Sequence, residues 1–325
     1  MSNIPGPPLS RVLTLEIARV TEAAAISAAR LRGRGDEKAA DQAAVDAMRR
    51  ELNKLSIDGT VVIGEGERDE APMLFIGENV GSGDGPKVDI AVDPLEGTTI
   101  AAKALPDSLA VLALAEGGSL LNSPDIYMDK IAIGPGYEPN LVDLDASPEE
   151  NLNNLANAKG VPVEEITACV LDRPRHAKLI SGVRNAGAAI RLIGDGDIAG
   201  VIHTTNYEET GIDIYMGVGG APEGVLAAAA LRCIGGQMQG RLFPMKEDDT
   251  ERAHNMGIED INKKYAMDEL AKGDVLFSAT GVTDGSMLSG VKWRPRSIET
   301  ETVVMRSATK TVRWIRTEHR SNKYI

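Results

Sequence analysis

Val88-Asp89-Ile90-Ala91-Val92-Asp93-Pro94-Leu95-Glu96-Gly97-Thr98 is the stretch on which the reading of this chain turns. Its first five residues form a strand-like run. Two carboxylates three residues apart, Asp93 and Glu96, leave the strand end, and Pro94 bends the chain between them. Gly97 and Thr98 follow, where the pattern predicts a helix start. Carboxylates hold hard cations such as Mg²⁺ or Mn²⁺. The free N–H groups of a helix start hold phosphate oxygens. One hexapeptide therefore gathers metal ligands, a phosphate cradle and a hydroxyl, which is the equipment for hydrolysing a phosphate ester.

The surrounding chain bounds what such a site can serve. At 325 residues it is long enough for two sub-structures. Aromatics are 3% of the chain against 42% hydrophobic residues, which predicts an aliphatic, alanine-rich core. No run approaches the roughly 18 apolar residues of a membrane span, and no secretory signal is expected. Cys169 and Cys233 are the only two cysteines, which points to a reducing, cytoplasmic compartment. A net charge of −13 repels nucleic acid and anionic lipid. It would repel a phosphorylated substrate as well, so metals and a few arginines must reverse the sign locally.

Outward from the hexapeptide, no internal repeat is visible. Leu13, Ile17, Val20 and Ala24 share a stripe in a helix expected over about 11–32, ended by Gly33 and Gly35. Val45, Met48, Leu52 and Leu55 do the same in a helix from Lys38 to Leu55. Thr60 to Ile63 and Ser108 to Leu114 read as strands. Ser147-Pro148-Glu149-Glu150 is a helix start with an N-cap, a first-turn Pro and a capping Glu, and Gly160 stops that helix. The acidic, Asn-rich stretch from Glu138 to Lys159 reads as a connection between halves, which sets a boundary near residue 160. From Thr167 to Leu242 strands and helices alternate, predicting an α/β layer with some parallel strands. Further strand-like runs lie at Val275–Ser278, Glu299–Arg306 and Thr311–Ile315.

Other residues join the candidate site. Asp41 shares the inward stripe of Val45 and Met48, so it is either a buried carboxylate needing a cation or a helix N-terminal acid. Glu65, in Gly64-Glu65-Gly66-Glu67 at a strand end, either faces a shared site or is solvated. In Gly219-Gly220-Ala221-Pro222-Glu223-Gly224, Pro222 suits a first helical turn and Glu223 the positive end of its dipole. Pro222 also stands where a dinucleotide loop needs its third glycine, which removes that reading. Arg173-Pro174-Arg175-His176 supplies the required cations, in bidentate geometry or as an exposed basic turn. Asp195-Gly196-Asp197 offers acceptors for sugar hydroxyls or forms a turn and cap. Tyr127 either packs or reaches a phosphate.

Asp93 to Thr98 resembles the DP-x-[DE]-GT signature of the lithium-sensitive sugar phosphatase superfamily. Gly33-Arg34-Gly35-Asp36, Ala40-Asp41, Val62 to Glu67, Asp69-Glu70-Ala71-Pro72-Met73-Leu74, Arg173 to His176, Asp195 to Asp197 and Gly219 to Val225 then follow in the order of the class II fructose-1,6-bisphosphatases of bacteria, from about residue 11 to 318. The resemblance implies a layered α-β-α-β-α fold with two sheet-containing halves. It implies hydrolysis of the 1-phosphate of fructose 1,6-bisphosphate with Mg²⁺ or Mn²⁺, in gluconeogenesis, by a homodimer or homotetramer. Sedoheptulose 1,7-bisphosphate is left open as a second substrate. The implied metal ligands are Asp41, Glu65, Asp93, Glu96 and Glu223, with Glu65, Asp93 and Thr98 nearest the chemistry. The implied substrate contacts are Glu96, Gly97, Thr98, Tyr127, Arg173, Pro174, Arg175, Asp195, Gly196 and Asp197. Two departures stand out. Asp36-Glu37-Lys38 replaces the Asp-Lys-Asn of many relatives. The Trp-Asp pair of inositol monophosphatases is absent, since Trp293 precedes Arg294 and Trp314 precedes Ile315. Competing readings are another phosphatase of the superfamily, acting on inositol or nucleotide phosphates, and a non-catalytic sugar-phosphate sensor.

Overall fold

The computed structural model describes residues 9–66 and 73–320. Glu67 and the Asp69 to Pro72 part of the motif lie outside the described residues. The strands are β1 (Asp58–Ile63), β2 (Asn79–Val80), β3 (Lys87–Glu96), β4 (Leu109–Glu116), β5 (Tyr127–Ile133), β6 (Thr167–Leu171), β7 (Ala189–Ile193), β8 (Ile214–Gly220), β9 (Gln237–Phe243), β10 (Tyr265–Ala266), β11 (Val275–Gly281), β12 (Lys292–Arg294), β13 (Ser297–Arg306) and β14 (Thr311–His319). The helices that matter here are α1 (Leu13–Ala29), α2 (Glu37–Leu52), α3 (Thr98–Ala102), α4 (Pro148–Lys159), α5 (Ala177–Asn185), α6 (Asp197–His203), α7 (Tyr207–Thr210) and α8 (Ala221–Ile234). The molecule is mixed α/β with two multi-stranded sheets, as the family resemblance implied.

Chain contacts define two units. The first comprises the residues up to Leu120 together with those from Lys272 onward, and the second spans Leu121–Ala271. The first unit holds an eight-stranded sheet in the order β12-β13-β11-β4-β3-β1-β2, with β14 also paired to β13. β4 begins Leu-Ala-Val-Leu-Ala-Leu-Ala, and these seven residues are buried, with β3 and β11 on its edges and α1 packed against it. Such a near-continuous apolar run fits a strand with neither face exposed to solvent. The alanine-rich α1 packs into the same core through Ile17, Val20, Ala24 and Ala28. Small side chains let helix and sheet approach closely and suit a protein with few aromatics.

The second unit holds a six-stranded sheet, β10-β9-β5-β8-β6-β7. Here β6 runs parallel to both β7 and β8, as the alternation of strands and helices predicted. The expected boundary near residue 160 does not match the contacts, for two reasons. The chain from Lys272 onward returns to the first sheet, where β11 pairs with β4. The Glu138–Lys159 stretch lies inside the second unit, where α4 buries Leu152 and Leu155 in that unit's core. Its polar appearance misleads because Asn151, only 2% exposed, satisfies local backbone, accepting from Asp143 N–H and donating to Asp143 O.

Local signals fared better. The capping box forms between Ser147 and Glu150, and Gly160 closes α4 in the left-handed conformation. By contrast α1 ends at Ala29, before Gly33, and residues 30–34 make a turn. Central strand packing sets the stability of the first unit. Leu112→Ala removes a fully buried side chain from β4 and should destabilise that unit by about 2–5 kcal/mol, read from its transition in chemical denaturation.

Candidate active site

The strand carrying the hexapeptide runs further than its sequence suggests. β3 continues through Pro94 to Glu96, and its pairing with β4 shifts register between Asp93 and Glu96. That irregularity is a bulge, a place where a strand tolerates Pro and re-aims side chains. Asp93 Oδ1 accepts the Leu95 N–H at 3.1 Å and so braces it. The buried Ser108 hydroxyl donates to the Glu96 carbonyl at 2.9 Å and anchors its far end. Two carboxylates that would alternate across a regular strand thus come together, each offering an oxygen within 4.8 Å of the other.

Gly97 turns the chain into α3 with φ +76°, in the left-handed region where a side chain is strained. Thr98, half-buried, is the first residue of that helix. The Gly33-Arg34-Gly35-Asp36 motif serves this corner. Gly33 and Gly35 donate their N–H groups to the carbonyls of Ala101 and Ala102 at 2.9 and 3.0 Å. Asp36 then N-caps α2 by accepting from Ala39 N–H. α2 in turn carries Asp41. Burial, and then the charge of Asp93, push its carboxyl up to about 6 from an ordinary 3.8. Asp41 is half-buried on that helix, in its second turn. Glu65 is half-buried just past β1, held by its own N–H donating to Leu74 O at 3.0 Å.

The second unit carries the cationic elements. Arg175 donates from Nε and Nη2 to Val218 O at 2.9 and 2.7 Å, and its guanidinium sits 4.7 Å over the Tyr127 ring. This stacking orients both groups. Arg173 lies 4.0 Å from Asp195. Pro174 opens the short 3-10 turn between them. His176 is buried and locks this loop to β8: Val218 N–H donates to Nε2 at 2.8 Å, so Nδ1 carries the proton and donates to Leu171 O at 2.7 Å. Burial holds its pKa below the usual histidine value, in keeping with a neutral ring.

Gly196, left-handed at φ +81°, places Asp197 at the first position of α6. Asp197 is 5% exposed, and its Oδ2 accepts from Lys130 Nζ at 2.5 Å and from Tyr215 OH at 3.3 Å. Asp195 is half-buried in the turn before it. Gly220 caps α8, Pro222 lies in its first turn, and Glu223 follows, as predicted. A Cβ on Gly220 would overlap the Glu223 carboxylate, and one on Gly219 would overlap Asp197. These glycines make room for acids.

A described family, "Bacterial fructose-1,6-bisphosphatase, glpX-encoded", matches residues 11–319. The chain belongs to this bacterial fructose-1,6-bisphosphatase family. A curated relative from Trichodesmium erythraeum (strain IMS101), named D-fructose 1,6-bisphosphatase class 2/sedoheptulose 1,7-bisphosphatase, is 45% identical over 96% of this chain and 97% of its own length. A relative of the same name from Synechococcus sp. (strain JA-3-3Ab) is 46% identical over 94% of this chain and 95% of its own. Motif reading passed over Lys130 and the side-chain hydrogen bond of Ser108, and it placed His176 in the cationic motif, where the structure has a neutral ring bonded at both nitrogens. Lys130 left a weak signal: a cation flanked by Ile131-Ala132-Ile133 in a strand needs an acid partner if buried, but the adjacent Asp129 hides which one.

Asp41 provides a test of the crowding. Its folded pKa is raised, so its ionisation opposes folding. The cost is absent below about pH 4, grows as pH rises toward about 6, and is complete above that. In chelator-treated protein, Asp41→Asn should raise Tm at pH 8 and leave it unchanged near pH 4. An equal shift at both pH values would refute an ionisation penalty at Asp41 from burial and the neighbouring Asp93.

Proposed function

We propose that this chain hydrolyses the 1-phosphate of fructose 1,6-bisphosphate to fructose 6-phosphate and phosphate, serving gluconeogenesis in the cytoplasm as a homodimer or homotetramer. The observation that carries the reading is the cluster of Asp93 and Glu96, with Asp41 in electrostatic contact, at a bulge one residue from Thr98. Sedoheptulose 1,7-bisphosphate is accepted by the same site, a reading supported by the printed names of the relatives. The net charge of −13 argues against nucleic acid or anionic membrane as a partner. Among the described residues no helix is long and apolar enough to cross a membrane.

The donors fit Mg²⁺ or Mn²⁺. They are carboxylate oxygens, the hard ligands these ions take, and the raised pKa of Asp41, from burial and then the charge of Asp93, supports a site that gains from added positive charge. Asp41, Glu65, Asp93, Glu96 and Glu223 would hold the ions. Bound divalent ions neutralise phosphate charge and make water a better nucleophile. The remaining work belongs to the chain. The Thr98 hydroxyl orients the attacking water; direct attack by it is disfavoured because a free hydroxyl is a weak nucleophile without an adjacent base. The Gly97 and Thr98 N–H groups stabilise charge developing on the phosphoryl oxygens. Arg173 and Arg175, with Pro174 setting their turn and Tyr127 stacked on Arg175, grip the distal phosphate. Asp195 to Asp197 receive the sugar hydroxyls. Together these contacts fix orientation, which lowers the entropic part of the barrier.

Phosphate release from fructose 1,6-bisphosphate should appear with Mg²⁺ or Mn²⁺ and vanish with chelator. Asp93→Ala should lose at least about 10²-fold in kcat, the usual effect of removing a key electrostatic partner. Thr98→Ser should retain more activity than Thr98→Ala. Near-normal turnover of purified Asp93→Ala at saturating Mg²⁺ would end the assignment.

A further inference from the structure

Lys130 is 1% exposed and sits in the middle of β5. A buried ammonium is costly unless charge and hydrogen bonds compensate it. Here its Nζ donates to Asp197 Oδ2 at 2.5 Å and to the Gly220 carbonyl at 2.8 Å. The two acceptors belong to different segments. Asp197 begins α6, directly after the turn that holds Asp195. Gly220 caps α8, three residues before Glu223. One side chain therefore ties two loops to which the proposed function gives different tasks, sugar contact and ion binding.

The glycines around Lys130 show how tightly this junction is built. A Cβ on Gly219 would lie 2.9 Å from Lys130 Nζ, besides overlapping Asp197. A Cβ on Gly224 would lie 3.2 Å from the Lys130 Cδ and 2.7 Å from the Met128 sulfur. The start of α8 thus rests on the stem of Lys130 as well as on its head group. The Gly220 side of the junction leaves no room for the Glu223 carboxylate to shift toward the backbone.

We propose that Lys130 is a positioning residue, holding the Glu223 turn and the Asp195–Asp197 loop in one arrangement. Ion affinity at Glu223 and sugar-phosphate affinity at the loop then depend on the same ammonium. The inference rests on Glu223 being an ion ligand, as proposed above. Partners that orient a ligand without touching the metal typically change its affinity by about 10–100-fold when removed.

The test is Mn²⁺ titration of the full chain by calorimetry, without substrate, alongside Tm and steady-state kinetics. Lys130→Met should weaken Mn²⁺ binding about tenfold or more and raise KM. It also strands the Asp197 charge, which can impair folding. Lys130→Met combined with Asp197→Asn removes both charges and keeps Tm near that of the parent. This double variant should still bind Mn²⁺ about tenfold more weakly. A well-folded double variant with parental Mn²⁺ affinity would show that Lys130 only stabilises the fold and would overturn the proposal. Glu223→Gln separates the two levels of the argument. If it leaves Mn²⁺ affinity unchanged, the ligand reading itself fails. If it weakens binding while the Lys130 variants do not, only the positioning role fails.

Discussion

Mutual repulsion among carboxylates, held in check by a rigid apolar sheet, is the constraint on which this molecule is built. Asp93 and Glu96 lie at the end of β3, and burial, with the charge of Asp93 adding to it, raises the Asp41 carboxyl above the usual range. Left to itself such a cluster would spread. It does not, because the backbone beneath it is fixed on both sides by β4 and β1, whose inward residues are completely buried. The sheet's packing energy supports a local arrangement that is unfavourable by itself. An electrostatically frustrated site of this kind is expected where function, not stability, selected the residues.

The second unit is arranged differently. Its charged groups range from the exposed Arg175 to the buried Asp197. Each is held by a neutral or compensating partner: Arg175 by the Val218 carbonyl and the Tyr127 ring, Asp197 by Lys130 and Tyr215. His176, uncharged and bonded at both nitrogens, staples the arginine loop to β8. The result is a set of polar groups whose orientations are fixed by their neighbours.

Much of this was legible in the sequence wherever the signal was local. The Ser147 to Gly160 helix, the Thr167–Leu171 strand and the Gly220-Pro222-Glu223 helix start all follow from short-range stereochemistry. The extent of β3 was not, because a Pro normally ends a strand and only a bulge against β4 lets it stay. The unit boundary was hidden for a different reason. The pairing of β11 with β4 joins residues far apart in the chain, and no local pattern announces it. The acidic Asn-rich stretch looked like a linker because Asn151 satisfies backbone groups instead of solvent. Among candidate site residues, Asp41 is ambiguous in the sequence because no local pattern brings Asp93 near it. The buried pairing of Asp197 was not legible, since its partner Lys130 lies 67 residues earlier in the chain.

The way the chain leaves and rejoins the first unit has a consequence for its biogenesis. β4 ends just before Leu121, and β11 begins just after Ala271, with Lys272 N–H donating to Ser119 O at 2.9 Å. The two strands are adjacent in the sheet, yet the ribosome must make the whole second unit between them. Until it does, β4 lacks a neighbour along one edge, and its bare apolar face is exposed to other chains. An autonomous second unit that folds quickly would bring Ser119 and Lys272 together and hand β11 to its partner. Speed of synthesis through residues 121–271 thus becomes a determinant of yield, and slow translation there favours aggregation of half-made molecules.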